Sequence, residues 1–301
     1  KQENSNIALS ILNFLNYLMT TLLKSNFNVC KVYREMSYLS FFSKVFLENF
    51  RMNIKTREID KVYIAYEAQP YQKNLIKYLR QTNKKIDIIG YDHTAPQPLP
   101  INYYYDRFSP DKLLICSKNK FNFNHKFLSW PKKKMKIIPS IRFFNLNKKN
   151  FSNKIFLPYM LKDYSLVKNS INDLINRNKI NDITKFDIRN HPDQTNSKKH
   201  LNLKEQIIDL QKSTLRNNVK KNIDKDISIF IGNSTVLSLC IELGLKCYQI
   251  SLEPTFDTYS NKFWPGVNVS RLNENIFFYS KRNKETFIKI SKKSNSKKFL
   301  S

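Results

Sequence analysis

The stretch KFDIRNHPDQ, Lys185 to Gln194, ends an extended run on a histidine and a proline, with an arginine just upstream. With a strand's period of two, Arg189 and His191 project to one side, and Pro192, which cannot donate to a sheet ladder, closes the strand. A guanidinium beside an imidazole can neutralise and hydrogen-bond a phosphate. The same dipeptide also reads as an exposed loop histidine. A second place is IFIGNSTVLSLCIELG, where Gly232 breaks an apolar run and Asn233, Ser234 and Thr235 open a helix. The free N–H groups of that first turn attract an anion, and the two hydroxyls add donors, although an ordinary helix cap needs the same residues. It is not a P-loop, because the glycine spacing and the lysine are missing. A third place is Glu67, directly after the run Lys61 to Tyr66, where a carboxylate can take the proton from an acceptor hydroxyl or can simply favour a helix start. The next loop, YDHTAPQPLP, is stiffened by prolines and offers Asp92 and His93 as rival bases. Arg142 adds a cation near the middle of the chain.

These residues need strand ends to hold them. KVYIAY, IDIIGY, KLLICS and MKIIPS are continuous apolar runs without alternation, which suits strands buried on both faces of a parallel sheet. A helix is expected near Gln72 to Arg80, and the first half reads as doubly wound. FFNLNKKNFSNK, Phe143 to Lys154, is polar and aperiodic and reads as a linker. Beyond it strands and helices alternate again: IFLPYML, a helix over Tyr164 to Asn176, KFDIRN, a helix over Leu203 to Asn217, ISIFIG, a helix over Ser234 to Leu243, CYQISL and NIFFYS. The pattern predicts an α/β protein of two Rossmann-like domains facing across a cleft, residues 1–145 and 146–290, with a basic tail at 291–301. His191 and Ser234 are then expected on adjacent strand ends, within a phosphate's reach of each other.

The chain has 301 residues, 41% of them apolar, and a formal charge of +28. Such a charge suits nucleic acid or an anionic membrane. With 4 Gly and a crowd of Lys, Asn and Ile, it reads first as a solvated face shaped by AT-rich coding. Cys30, Cys116, Cys240 and Cys247 form no CxxC pair and no Cys/His cluster, so they read as buried free thiols with no zinc site. NIALSILNFLNYLMTTLLKS interleaves Asn and Thr with its apolar residues, so it reads as a one-faced helix packed on a core and not as a membrane span.

The pairing of His191-Pro192 after one strand with Ser234-Thr235 at the next strand-to-helix turn resembles the C-terminal domain of bacterial sialyltransferases, polysialyltransferases and related capsule glycosyltransferases of the GT-B fold. The stretch from YEAQPYQKNLIKYL through IGYDHTAPQPLP, SPDKLLICS and WPKKKMKIIPSIRF also resembles surface-carbohydrate biosynthesis proteins found with lipopolysaccharide genes. Together the resemblance runs from about Lys61 to Leu252. It implies that His191 and the Ser234-Thr235 pair bind the CMP part of a CMP-sugar, and that an acidic residue of the first domain is the catalytic base. The family's acidic motif is two acidic residues and a glycine; here Tyr66-Glu67-Ala68 leaves only Glu67 to carry over.

The expectation is a metal-independent glycosyltransferase with no resident cofactor. Its partners are a nucleotide-sugar, a glycan or glycolipid acceptor and an anionic membrane at its cytoplasmic face, with no specific nucleic acid. Arg142, Arg189, His191, Pro192, Asn233, Ser234 and Thr235 form the donor set, with Glu67, Asp92 and His93 as candidate bases. The rivals are a non-catalytic basic protein that binds nucleic acid or anionic lipid, and a nucleotide-sugar epimerase.

Overall fold

The computed structural model describes residues 15–23, 37–53, 58–159, 164–180, 182–194, 197–215, 226–282 and 287–291. Cys30, residues 6–14 and 24–25 of the segment expected as a one-faced helix, and the tail beyond Ser291 lie outside them. Residues 15–23 are helical, followed by α1 (Tyr38–Asn53), β1 (Lys61–Ala65), α2 (Pro70–Thr82), β2 (Asp87–Asp92), β3 (Lys112–Ile115), α3 (Lys118–Phe127) and β4 (Met135–Ile137). Then come β5 (Lys154–Phe156), α4 (Tyr164–Asn176), β6 (Asp187–Arg189), α5 (Lys198–Leu215), β7 (Ile227–Ile231), α6 (Thr235–Glu242), β8 (Lys246–Ile250), the single turn α7 (Pro254–Asp257), β9 (Val267–Arg271) and β10 (Ile276–Lys281). The result is an α/β fold with two largely parallel sheets, of order β1-β2-β3-β4 and β6-β5-β7-β8-β10-β9. By contact density the chain divides into residues 1–91 with 105–112, and residues 92–104 with 113–301.

In the first unit, β1 and β2 pair in parallel with Lys61 opposite Asp87 and Ala65 opposite Tyr91. Helix α2 buries Gln72, Leu75, Ile76 and Leu79, the i, i+3, i+4, i+7 spacing of an amphipathic helix. Helix α1 meets it through aromatic rings: Phe42 and Phe46 lie edge-on to Tyr71, and Phe50 edge-on to Tyr78. The turn from β1 into α2 is clasped by one buried amide. Gln72 Oε1 accepts from the N–H groups of Glu67 and Gln69 at 2.9 and 3.0 Å, and its Nε2 donates to the Ala65 carbonyl.

The second unit centres on the six-stranded sheet. Ile227, Ile229 and Ile231 of β7 share one face with Ile155 of β5 and Ile250 of β8. Val167, Ile171 and Leu174 of α4 and Leu203 and Ile207 of α5 complete that core. The edge departs from an all-parallel reading, because β10 runs antiparallel to both β8 and β9. The expected doubly wound order is also absent from the first sheet, whose strands follow one another without reversal.

The segment read as a linker, Phe143 to Lys154, makes contacts of its own. Phe143 is buried, the Asn145 N–H donates to the Ser291 carbonyl at 2.9 Å, and β5 already begins at Lys154. Residues 287–291 make that tie and reach further. The Lys289 N–H donates to the Cys116 carbonyl just after β3, and the Ser140 N–H donates to the Lys289 carbonyl after β4. Glu242 anchors the start of the segment. Its Oε2 accepts from the N–H groups of Phe287 and Ile288 at 2.5 and 3.1 Å, while Oε1 meets Lys281 Nζ at 2.8 Å. Phe287 is buried between the rings of Tyr259 and Trp264. Glu242→Ala strands those two N–H groups and should lower the unfolding free energy by about 2–4 kcal/mol in urea melts. A loss under about 1 kcal/mol would mean that apolar contacts alone hold the segment.

Candidate functional site

The second sheet reverses direction between β5 and β7. From β5 the chain moves outward to β6, then returns to the other side of β5 for β7 and β8. In such a sheet the crevice beyond the carboxyl ends of the two strands at the reversal is where ligands bind, because the connections leave there in opposite directions. Phe156 of β5 stands opposite Arg189 of β6 and Phe230 of β7, so the three strands end on one level. Beyond that level lie Pro158 and Tyr159, His191 and Pro192, and Gly232 to Thr235.

Gly232 sets the geometry. Its φ of +71° lies in the left-handed region, and a Cβ there would stand 3.3 Å from Pro158 Cβ, so the β5 and β7 loops touch where only glycine fits without strain. Its N–H donates to the Ile250 carbonyl at 2.8 Å and its carbonyl accepts from Gln249 Nε2 at 3.0 Å. Gln249 is fully buried and is itself oriented by the Tyr279 hydroxyl, 2.8 Å from its Oε1. After this turn Ser234 caps α6, its Oγ accepting from the Val236 N–H at 3.2 Å. Asn233 is exposed, and Ser234 and Thr235 are half-buried. Ser251, next to this turn at the end of β8, is fully buried, and its hydroxyl meets no partner among the described residues.

His191 and Ser234 do not sit on adjacent strand ends. Strand β5 separates β6 from β7, which puts their ends two strand spacings apart, about 10 Å. Tyr159, half-exposed, follows β5 there, and its ring meets His191 edge-on with centroids 5.1 Å apart. The Asp193 N–H approaches His191 Nδ1 at 3.3 Å, which assigns the proton of the neutral ring to Nε2 and leaves that N–H as the donor. Arg189 is exposed, with Asp187 at 3.9 Å, and Pro192 opens a 3-10 turn.

No family model matches the chain. No curated protein matches it either. The site therefore stands on its geometry.

Sequence reasoning missed Pro158, Tyr159 and His200. The signal for the first two was present: LPY follows a strand just as NHP does, and its proline ends the ladder the same way. His200, buried in the first turn of α5, donates from Nε2 to the Pro158 carbonyl at 2.7 Å, and its Nδ1 accepts from Ser197 Oγ at 3.0 Å. It positions the β5 loop.

The candidate bases divide. Glu67, half-buried after β1, has its backbone held by Gln72 as described above. His93 is half-buried. Asp92 is fully buried: Oδ1 accepts from Thr94 and Tyr103 at 2.9 and 3.0 Å, and Oδ2 lies 2.5 Å from Lys120 Nζ as an ion pair off the hydrogen-bonding angle. Lys120 is equally buried, its ammonium 4.0 Å from the centre of the Tyr103 ring. A carboxylate so enclosed holds structure. Burial first, and the Asp92 charge second, push the nearby Cys116 thiol up to about 12, so it stays protonated and inert at neutral pH. Arg142 is exposed, its guanidinium 5.3 Å from the Phe143 ring centre. Among the described residues no cluster of His, Cys, Asp or Glu could hold a metal ion.

Asp92→Asn leaves the Lys120 ammonium buried without its counter-charge and should cost about 3–5 kcal/mol, whereas Asp92→Leu with Lys120→Met should restore most of it. Denaturant melts of the three proteins check this. A double variant that loses as much as the single one would show that the hydrogen bonds Asp92 accepts from Thr94 and Tyr103, lost with leucine, outweigh its charge.

Proposed function

We propose that the protein is a GT-B-type glycosyltransferase that moves a sugar from a nucleotide donor, CMP-linked, to a surface polysaccharide or lipopolysaccharide acceptor. The observation that carries this reading is the strand reversal between β5 and β7, which gathers the Gly232 turn, the α6 amino terminus and an exposed tyrosine beside His191. In this reading the donor phosphate lies over the N–H groups that follow Gly232, where a helix start favours negative charge. The Ser234 and Thr235 hydroxyls donate to its oxygens, while the His191 Nε2–H and the Arg189 guanidinium, two strand spacings away, reach toward it from the far side of the crevice. The Tyr159 ring offers the base a face.

Chemistry then needs a proton acceptor. Glu67 takes the proton of the acceptor hydroxyl as that oxygen bonds to the anomeric carbon, and the bond from that carbon to the phosphate oxygen breaks. CMP leaves carrying the electron pair, and the sugar inverts. The enclosure of Asp92 by Lys120, Thr94 and Tyr103 turns the role of base toward Glu67, with His93 as the remaining rival.

Calorimetric titration with CMP, UDP, GDP and ADP should show CMP binding best. His191→Ala should weaken CMP by roughly 1.5–3 kcal/mol, the range for a hydrogen bond to a charged group. Tyr159→Ala should cost a further 1–3 kcal/mol or so, the range for a lost stacking face. Unchanged CMP affinity in both variants would remove the nucleotide from this crevice.

Glu67→Gln keeps the side chain's shape and removes its basicity. Transfer should fall by about 10²–10⁴-fold while CMP affinity holds. Transfer near the wild-type rate would pass the role to His93 or end the glycosyltransferase reading.

A further inference from the structure

The helix over residues 15–23 carries more apolar surface than its surroundings cover. Thr21 is buried and Tyr17, Leu18 and Leu22 are half-buried, but Leu15, Met19 and Leu23 are 48%, 58% and 63% exposed. These three recur at every fourth position and so form one stripe along the helix. The apolar face expected to lie on a core is thus split, one flank inward and one flank open. Isolated exposed leucines are ordinary, but a continuous row marks an interaction site.

Between this helix and α1 lies a groove of about 420 Å³, with Tyr17, Phe41 and Val45 among its apolar walls and Lys44 and Arg51 among its charged ones. The Lys44 ammonium stands 3.8 Å from the centre of the Tyr17 ring, and the Arg51 guanidinium 4.6 Å from that of Tyr78. Both are exposed, and the aromatic faces hold the charged heads at the surface. Glu48 is the only acid among the groove's lining residues, and the helix over 15–23 bears no charge. A second copy of this chain carries the same net charge of +28 and would set its own Lys44 and Arg51 near these, which disfavours self-pairing there.

We propose that this face docks on an anionic phospholipid bilayer, with Leu15, Met19 and Leu23 entering the acyl boundary and Lys44 and Arg51 meeting lipid phosphates. Apolar insertion or a basic patch alone gives marginal attachment, and the two together hold. The excess positive charge brings the chain to such a surface, and the stripe keeps it there. Among the described residues no helix is long and apolar enough to cross a membrane, so contact through this face would be peripheral. The inference stands apart from the glycosyltransferase reading.

Co-sedimentation of the full chain with vesicles of phosphatidylcholine, alone or mixed with phosphatidylglycerol, tests it. The wild type should bind the mixed vesicles and leave the neutral ones. A Leu15→Ser, Met19→Ser, Leu23→Ser variant should lose binding by about tenfold or more, the order expected from withdrawing one buried side chain. Lys44→Gln with Arg51→Gln should lose several-fold. Thermal melts confirm that each variant folds; Leu23→Glu alone serves if the triple variant does not, and should lose about as much. Retention of the folded stripe variants at the wild-type level would overturn the proposal, because general basic adsorption would then suffice. A wild type that ignores both vesicles but forms dimers that the stripe variant abolishes would overturn it in favour of self-association.

Discussion

The close approach of Gly232 to Pro158 governs the second sheet's carboxyl edge. A glycine in the left-handed region lets the β7 loop lie against the β5 loop at the one place where the strand order reverses. The turn is held from both sides, by Ile250 and Gln249 at Gly232 and by His200 at the Pro158 carbonyl. Gln249 spends its remaining donor on the Asp257 carbonyl and its oxygen on Tyr279, so the amide has no freedom to turn away. A buried polar network satisfied in this way rigidifies what it touches. What it touches is the approach to the α6 amino terminus.

Charges in this protein fall into two kinds, and burial separates them. Asp92 and Lys120 are sealed from water and neutralise each other, and Glu242 accepts from the backbone of a returning segment. These carboxylates maintain the fold. Arg189 and His191 stand at the surface of a strand end, and among the described residues their carboxylate neighbours are loose, Asp187 at 3.9 Å and Asp193 at 3.7 Å. Such contacts contribute little to stability, which leaves the Arg189 guanidinium and the His191 ring available to a ligand.

Local pattern made some elements legible and hid others. The helix expected over Tyr164 to Asn176 has those bounds, because Val167, Ile171 and Leu174 keep the helical period on a buried face. Helix α3 went unseen because KNKFNFNHKF alternates like a strand and buries Asn119, Lys120 and Asn124 where apolar residues are expected. Strand order is a non-local property, and no residue near His191 or Ser234 records that β5 runs between them. The candidate donor residues, and Tyr159 after LP with them, could therefore be named from strand-end chemistry, but the spacing between His191 and Ser234 could not.

The most direct measurement is a crystal structure of the full chain grown with CMP. The account predicts the phosphate over the backbone N–H groups of Gly232 to Thr235 with His191 Nε2 in hydrogen-bond range, and the cytosine ring against Tyr159. Nucleotide bound anywhere else on the chain, or a crevice left empty at saturating CMP, would contradict it.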